Sequence, residues 1–237
     1  MNWFVRHVAS LGCVSILWGT SPAFASDCIE ARKLHADAQA LGLVEVNYAE
    51  SVPLFRNCIL EGRASPRDRY LLAEALYESR NLHDAIEEGS ELIGQLEALP
   101  ATPGLRNLRG QTEYLLLRAE ARLSTRIDPD ATLDRLLPIQ QLFRETGDSS
   151  SLLLTEVFRG YLTQLRGDIG SQQSALAILV GVLNRTLGPV GEGVIANYQD
   201  VLPTVLALKD IQTLVHSLGA PPPPQCLKAQ TRGVLPC

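Results

Sequence analysis

Beyond the first two dozen residues, the side chains best suited to metal binding or nucleophilic attack are three histidines, His35, His83 and His216, and four cysteines, Cys28, Cys58, Cys226 and Cys237. A zinc site needs three or four such ligands brought together, usually from short local pairs. These histidines fall on three separate stretches of helical pattern, and no Cys-x-x-Cys pair occurs. No metal and no cofactor is therefore expected. The Gly188–Gly193 stretch is glycine-rich but lacks the Gly-Lys-Ser/Thr ending that grips phosphate, and it follows a helical pattern. There is no Gly-x-Ser-x-Gly elbow. Glu87, Glu88 and Glu91 gather acid on one helix and fit a solvated outer face. No catalytic residue is assigned, and the chain is not expected to be an enzyme.

What could hold these residues is an array of amphipathic helices. Residues 65–96, SPRDRYLLAEALYESRNLHDAIEEGSELIGQL, contain two of them. Ser65 is a helix cap, because its hydroxyl can accept from an unpaired N–H of the first turn. Pro66 suits the first helical position, where a missing N–H costs nothing. Leu72, Ala75, Leu76 and Ser79 then recur at helical spacing, Arg80-Asn81 breaks the run, and Leu82, Ala85, Ile86, Gly89, Leu92, Ile93 and Leu96 restart it. Ala85 and Gly89, one turn apart, suggest a close approach by a neighbouring backbone.

The same pattern predicts a first hairpin over 27–41 and 48–62, with Asp27 as cap. A third follows with a helix over 107–123 and another restarted at Asp128-Pro129. A fourth runs from Ser150 through the turn at Gly167-Asp168 to Leu187, and a short fifth pair covers 194–208 and 210–218. Pro53 and Pro138 predict local kinks. Hairpins about 39 to 43 residues apart indicate helical repeats. The expected fold is all-α, an α-solenoid of about five antiparallel helical hairpins over 26–219.

Leu72-Ala73, Tyr77, Leu82, Ala85, Gly89 and Leu92 resemble the small/large pattern of the tetratricopeptide repeat (TPR). Arg80 stands where that family usually has Gly, and Tyr77 lies one place late. Tyr48 to Arg56 resembles a second helix, and Leu187-Gly188-Pro189 with Val194, Ala196, Asn197 and Leu202 resembles a linker and first helix, of the kinesin-light-chain-like bacterial subclass. The resemblance implies a TPR-like superhelix whose groove holds a protein or peptide. The Lys/Asn set of the carboxylate-clamp subclass is missing.

The 237 residues are 46% hydrophobic, 5% aromatic and 20% charged, with a net charge of -5. Mild acidity without a basic stripe excludes the counterion-displacing surface that nucleic acid demands. Arg6 and His7, an apolar run over 8–19 and Ala23-Phe24-Ala25 compose a secretory leader. Cleavage after residue 25 would start the mature chain at Ser26, periplasmic or secreted, with no stable membrane insertion afterwards. In an oxidising compartment four cysteines allow three pairings. Helix ends in the first hairpin bring Cys28 beside Cys58, leaving Cys226 and Cys237 to close a loop in the tail at 220–237, which follows Pro221 to Pro224. Free thiols or a metal site are the alternatives.

In a stack of hairpins the first helices line the inner wall. Their polar and aromatic residues off the core stripe are the candidate peptide contacts: Arg67, Tyr70, Glu74 and Tyr77; Arg118 and Arg122; Glu156, Arg159 and Arg166; and Asn197. Tyr70 and Tyr77 stand out as exposed aromatics, the type enriched at binding hot spots. The expected function is a non-catalytic exported scaffold or adaptor holding a protein segment in its concave face. The alternative is an accessory subunit of a cell-envelope enzyme or assembly machine, or a small helical hydrolase with a closed Glu/His pocket.

Overall fold

The computed structural model describes residues 24–41, 46–186 and 198–224. Among them lie nine helices and no strand: α1 (Phe24–Leu41), α2 (Val46–Leu60), α3 (Pro66–Glu78), α4 (Leu82–Glu97), α5 (Pro103–Leu123), α6 (Pro129–Thr146), α7 (Ser149–Gln164), α8 (Ile169–Thr186) and α9 (Tyr198–Leu218). None of the described helices is long and apolar enough to cross a membrane. The expectations about the leader, Asn197, Cys226 and Cys237 lie outside the described residues or beyond their side chains.

Local chemistry sets the helix starts. At α3 the Ser65 hydroxyl accepts from the Asp68 N–H, and the Asp68 carboxylate accepts from the Ser65 N–H at 2.8 Å, a reciprocal capping box. At α5 the Thr102 hydroxyl accepts from the Leu105 N–H and Pro103 takes the first helical position, a one-way cap four residues before the start expected from apolar spacing alone. Asp128 caps α6 and Asp148 caps α7. Asp27 does not cap α1; it sits within the first turn. Both α2 and α6 continue through Pro53 and Pro138. Arg80 closes the α3–α4 turn at φ 64°, a left-handed conformation that Gly adopts far more readily than Arg.

Each helix packs on its chain neighbours, and the first helices also touch one another: α1 with α3, α3 with α5, and α7 with α9. That double set of contacts makes the stack. The core runs along it in four groups, a small one of Ala38, Tyr48 and Ala75 at the α1–α2 end, then around Tyr77, Leu72 and Leu92, then Leu136, Phe143 and Leu162, then Leu179, Leu183 and Ile211. Tight spots mark the packing. A Cβ on Gly160 would sit 2.8 Å from Leu179 Cδ2. Gly89 likewise gives way to a neighbour, but to the Leu116 side chain of α5 rather than to backbone.

The fifth unit differs from expectation. Ala207, Leu208, Ile211 and Leu214 form one uninterrupted buried stripe, so α9 passes straight through Lys209-Asp210 instead of turning there. The described chain is thus four hairpins and a terminal helix. That helix lies on α7 and α8 and also touches α1.

A candidate binding pocket on the inner helix face

The α3 face toward α5 carries aromatic rings covered by guanidinium groups. Arg67 lies over Tyr70 at 4.7 Å from the ring centre, and Arg118 and Arg122 lie over Tyr77 at 4.5 and 4.1 Å. Arg118 also reaches Tyr114, at 5.5 Å. Positive charge over a ring face is attracted by the ring quadrupole, and more so where water is excluded. The two α3 tyrosines are not the exposed aromatics expected from the sequence: they are 8% and 1% exposed, because the arginines and α5 cover them.

Acids thread this strip. The Tyr70 hydroxyl donates to Glu74 Oε1 at 3.2 Å, Gln39 donates to Glu74 Oε2, and His35 Nε2 lies 3.1 Å from the same oxygen. Burial alone would push the Glu74 carboxyl up, but His35, Arg67 and Arg118 outweigh it and hold the group below its ordinary value. Glu78 goes the other way: burial raises it despite Arg118, whose guanidinium is 3.8 Å distant. Burial also lifts the Tyr114 hydroxyl to about 12, while that hydroxyl donates to the Leu154 carbonyl at 3.0 Å and so ties α5 to α7.

From this strip opens a pocket of about 800 Å³. One wall is Tyr77, Tyr114, Arg118 and Arg122, with Arg126 and Ile127 from the α5–α6 turn. The facing wall is Leu154, Val157, Phe158, Tyr161 and Leu165 of α7, and Leu206 and Asp210 of α9 complete it. Phe158 and Tyr161 stack 6.1 Å apart. The chemistry on offer is binding: apolar surface on one side, cations and π faces on the other.

The sequence candidates therefore divide. Tyr77, Arg118 and Arg122 meet at the pocket, and Arg67, Tyr70 and Glu74 continue the same strip along α3. Glu156, Arg159 and Arg166 do not join them. At 100° per residue Glu156 lies opposite the Leu154–Phe158–Tyr161 stripe and Arg159 to its side, while Arg166 falls just past the end of α7; Glu156 pairs with Arg185 of α8, and Arg166 with Asp130 of α6. The polar line of α7 is thus on the expected helix but not on the inner wall, since on this helix the apolar stripe is the one that borders the cavity. Phe158, Tyr161, Leu165 and Asp210 line the cavity without being among the candidates named from the sequence. The available signal is the second apolar residue set on α7, too wide for one packing partner.

The described residues hold no group of three or more His, Cys, Asp and Glu placed to bind a metal. Cys28 and Cys58 are joined in a disulfide with Cα atoms 5.3 Å apart, between the start of α1 and the end of α2.

No protein-family model and no curated protein matches the chain. Solved structures do. Two crystal structures of a kinesin light chain with nearly identical TPR-like repeats from Podosopora anserina align over 89% of this chain and 97% of theirs, at 13% identity and a TM-score of 0.51. A thermophilic TPR protein from Thermus thermophilus aligns over 88% of this chain and 96% of its own, at 17% identity and a TM-score of 0.40. The likeness is one of fold: an all-α helical-repeat solenoid of the TPR-like kind seen in the kinesin light chain structures.

Proposed function

We propose that this chain is an exported, non-catalytic adaptor that holds a segment of a protein partner in the pocket framed by α3, α5, α7 and α9. The TPR-like fold is a known scaffold for protein–protein interaction, which is an analogy of fold and carries no partner with it. The observation that supports the function is the cavity of about 800 Å³ whose walls are unlike, arginine and tyrosine facing leucine and phenylalanine. Such a site anchors an apolar side chain by burial and sets its register by charge. The acid–histidine pair His35–Glu74, the nearest thing to a catalytic couple, is packed between α1 and α3 with His35 1% exposed, and neither residue lines the pocket.

Tyr77→Ala is a poor test, since truncating so buried a ring costs about 3–5 kcal/mol in stability. A photo-reactive phenylalanine analogue at position 161, whose tyrosine is 36% exposed at the pocket, is a better one. Irradiated in its native compartment, it should give one dominant protein adduct, absent when the analogue replaces Leu137, 49% exposed on α6. Identical adducts from both positions would remove the pocket as the binding site. Export is checked on the same material: the recovered chain should begin at Ser26 and fractionate outside the cytoplasm.

A further inference from the structure

We propose that the pocket selects an apolar side chain bearing a neighbouring carboxylate on the partner segment, and that Asp210 on α9 weakens this capture whenever it is ionised. The proposal rests on the pocket reading above and adds its selectivity and its control. Cations outnumber acids at the cavity itself, where Arg118, Arg122 and Arg126 stand against Asp210. The acids behind them act mainly on Arg118, with Glu78 at 3.8 Å and Glu74 further along the strip; Glu78 also acts on Arg122, but no carboxylate among the described residues forms an ion pair with Arg122 or Arg126. Guanidinium groups held over rings keep their donors free at the edges, where a carboxylate can dock. The α7 wall supplies the apolar counterpart.

Asp210 is the single acid among the residues lining this pocket, one turn beyond Leu206 on α9. Little around it offsets its charge. On α9 itself only the adjacent Lys209 opposes it. On α8, Arg185 is engaged by Glu156. On α1, Arg32 is held by Asp68 and His35 faces Glu74. On α7, Arg159 lies to the side of the apolar stripe and is absent from the cavity lining, and Arg166, just past the helix end, is taken by Asp130. Arg118, Arg122 and Arg126 stand across the cavity. Burial lifts the Asp210 carboxyl to about 6, with Lys209 pulling back. It therefore passes from neutral to charged between mildly acid and neutral pH, while the arginines stay charged throughout. A bound anion disfavours the ionised form, so binding draws in a proton, and affinity is highest below about pH 6 and falls as pH rises.

The test uses two dyes of one scaffold on the full chain. 8-Anilinonaphthalene-1-sulfonate stays anionic across the range, and N-phenyl-1-naphthylamine lacks the charge. For the wild type, the sulfonate should bind about fivefold more tightly at pH 5.5 than at pH 7.5, the size of one like-charge repulsion in a part-wet site. Asp210→Asn should bind equally at both pH values, at the tighter level. Arg122→Gln should bind the sulfonate more weakly at both, and the neutral dye should be indifferent to pH and to both substitutions. The photo-adduct yield from position 161 should follow the same pH order. A wild-type pH slope retained in Asp210→Asn overturns the gate. Equal loss of both dyes in Arg122→Gln overturns the charge selection. If neither dye binds the wild type at either pH, the pocket is no ligand site and the reading beneath the proposal fails as well.

Discussion

Asp68 ties the α1–α2 end of the stack to α3 with one carboxylate. Its carboxylate, fully buried, accepts from the Ser65 N–H at 2.8 Å and from the Ser65 hydroxyl at 2.7 Å, completing the α3 cap. The same group takes Arg32 Nε at 2.6 Å and Arg32 Nη2 at 2.8 Å, fastening α1 to α3. Asp68→Ala removes both. Loss of the cap costs about 1 kcal/mol. The Arg32 side chain is 49% exposed and rehydrates when released, so its pair adds only about 0.5–1 kcal/mol. Together these give about 2 kcal/mol, or a melting temperature lower by about 4–8 °C for a chain of this size. Asp68→Asn keeps an acceptor for the cap and loses the charge, so it should cost about half as much. The pH dependence has a definite sign. Burial opposes ionisation, but Arg32 and Ser65 prevail and set the folded value below the ordinary 3.8. The stabilisation is therefore present above 3.8 and is lost as pH falls through the lower folded value. Denaturant titrations followed by far-ultraviolet dichroism give the energies. Hydrogen exchange locates them, with faster exchange expected in α1, α2 and the start of α3 and none in α7 or α8. An Asp68→Ala protein within about 0.3 kcal/mol of wild type would refute this account, as would a gap to Asp68→Asn that ignores pH.

Three further outcomes are expected. Arg80→Gly should raise the melting temperature by about 1–3 °C, by relieving a left-handed backbone at φ 64° worth about 0.5–1 kcal/mol; an unchanged or lower midpoint counts against strain at that turn. Non-reducing peptide mapping should recover Cys28 with Cys58 and Cys226 with Cys237, and a crossed pairing would break the assignment of the first hairpin. Cys58→Ser should cost about 3–4 kcal/mol, the loop-entropy value for a bridge across 30 residues, read by the same denaturant titration; a cost under about 1 kcal/mol would remove the bridge as a stabilising element.

Helix type and order were legible because they depend on local chemistry. Ser65-Pro66 and Asp128-Pro129 announce helix starts whatever packs around them. Thr102-Pro103 carries the same kind of signal, but it lies in the Pro- and Gly-containing stretch 98–104, whose composition reads as a linker. The cations of the candidate site were legible from α3 and α5, where one stripe is polar enough to mark the inner wall. On α7 two stripes compete, and which faces the cavity depends on α6 and α8 occupying the other, a tertiary fact absent from spacing. Asp210 could not be read at all. It looked like the start of a new helix, and only the continuous burial of Leu208, Ile211 and Leu214 shows that α9 passes through it.

Stacked hairpins ordinarily have free ends and grow or shrink by whole units. Here the last described helix leans on the first as well as on its own neighbours. A unit inserted between α8 and α9 would have to prise those ends apart. Tension applied at one extremity, by a tether or a translocating partner, would be felt at the opposite one without crossing the intervening layers.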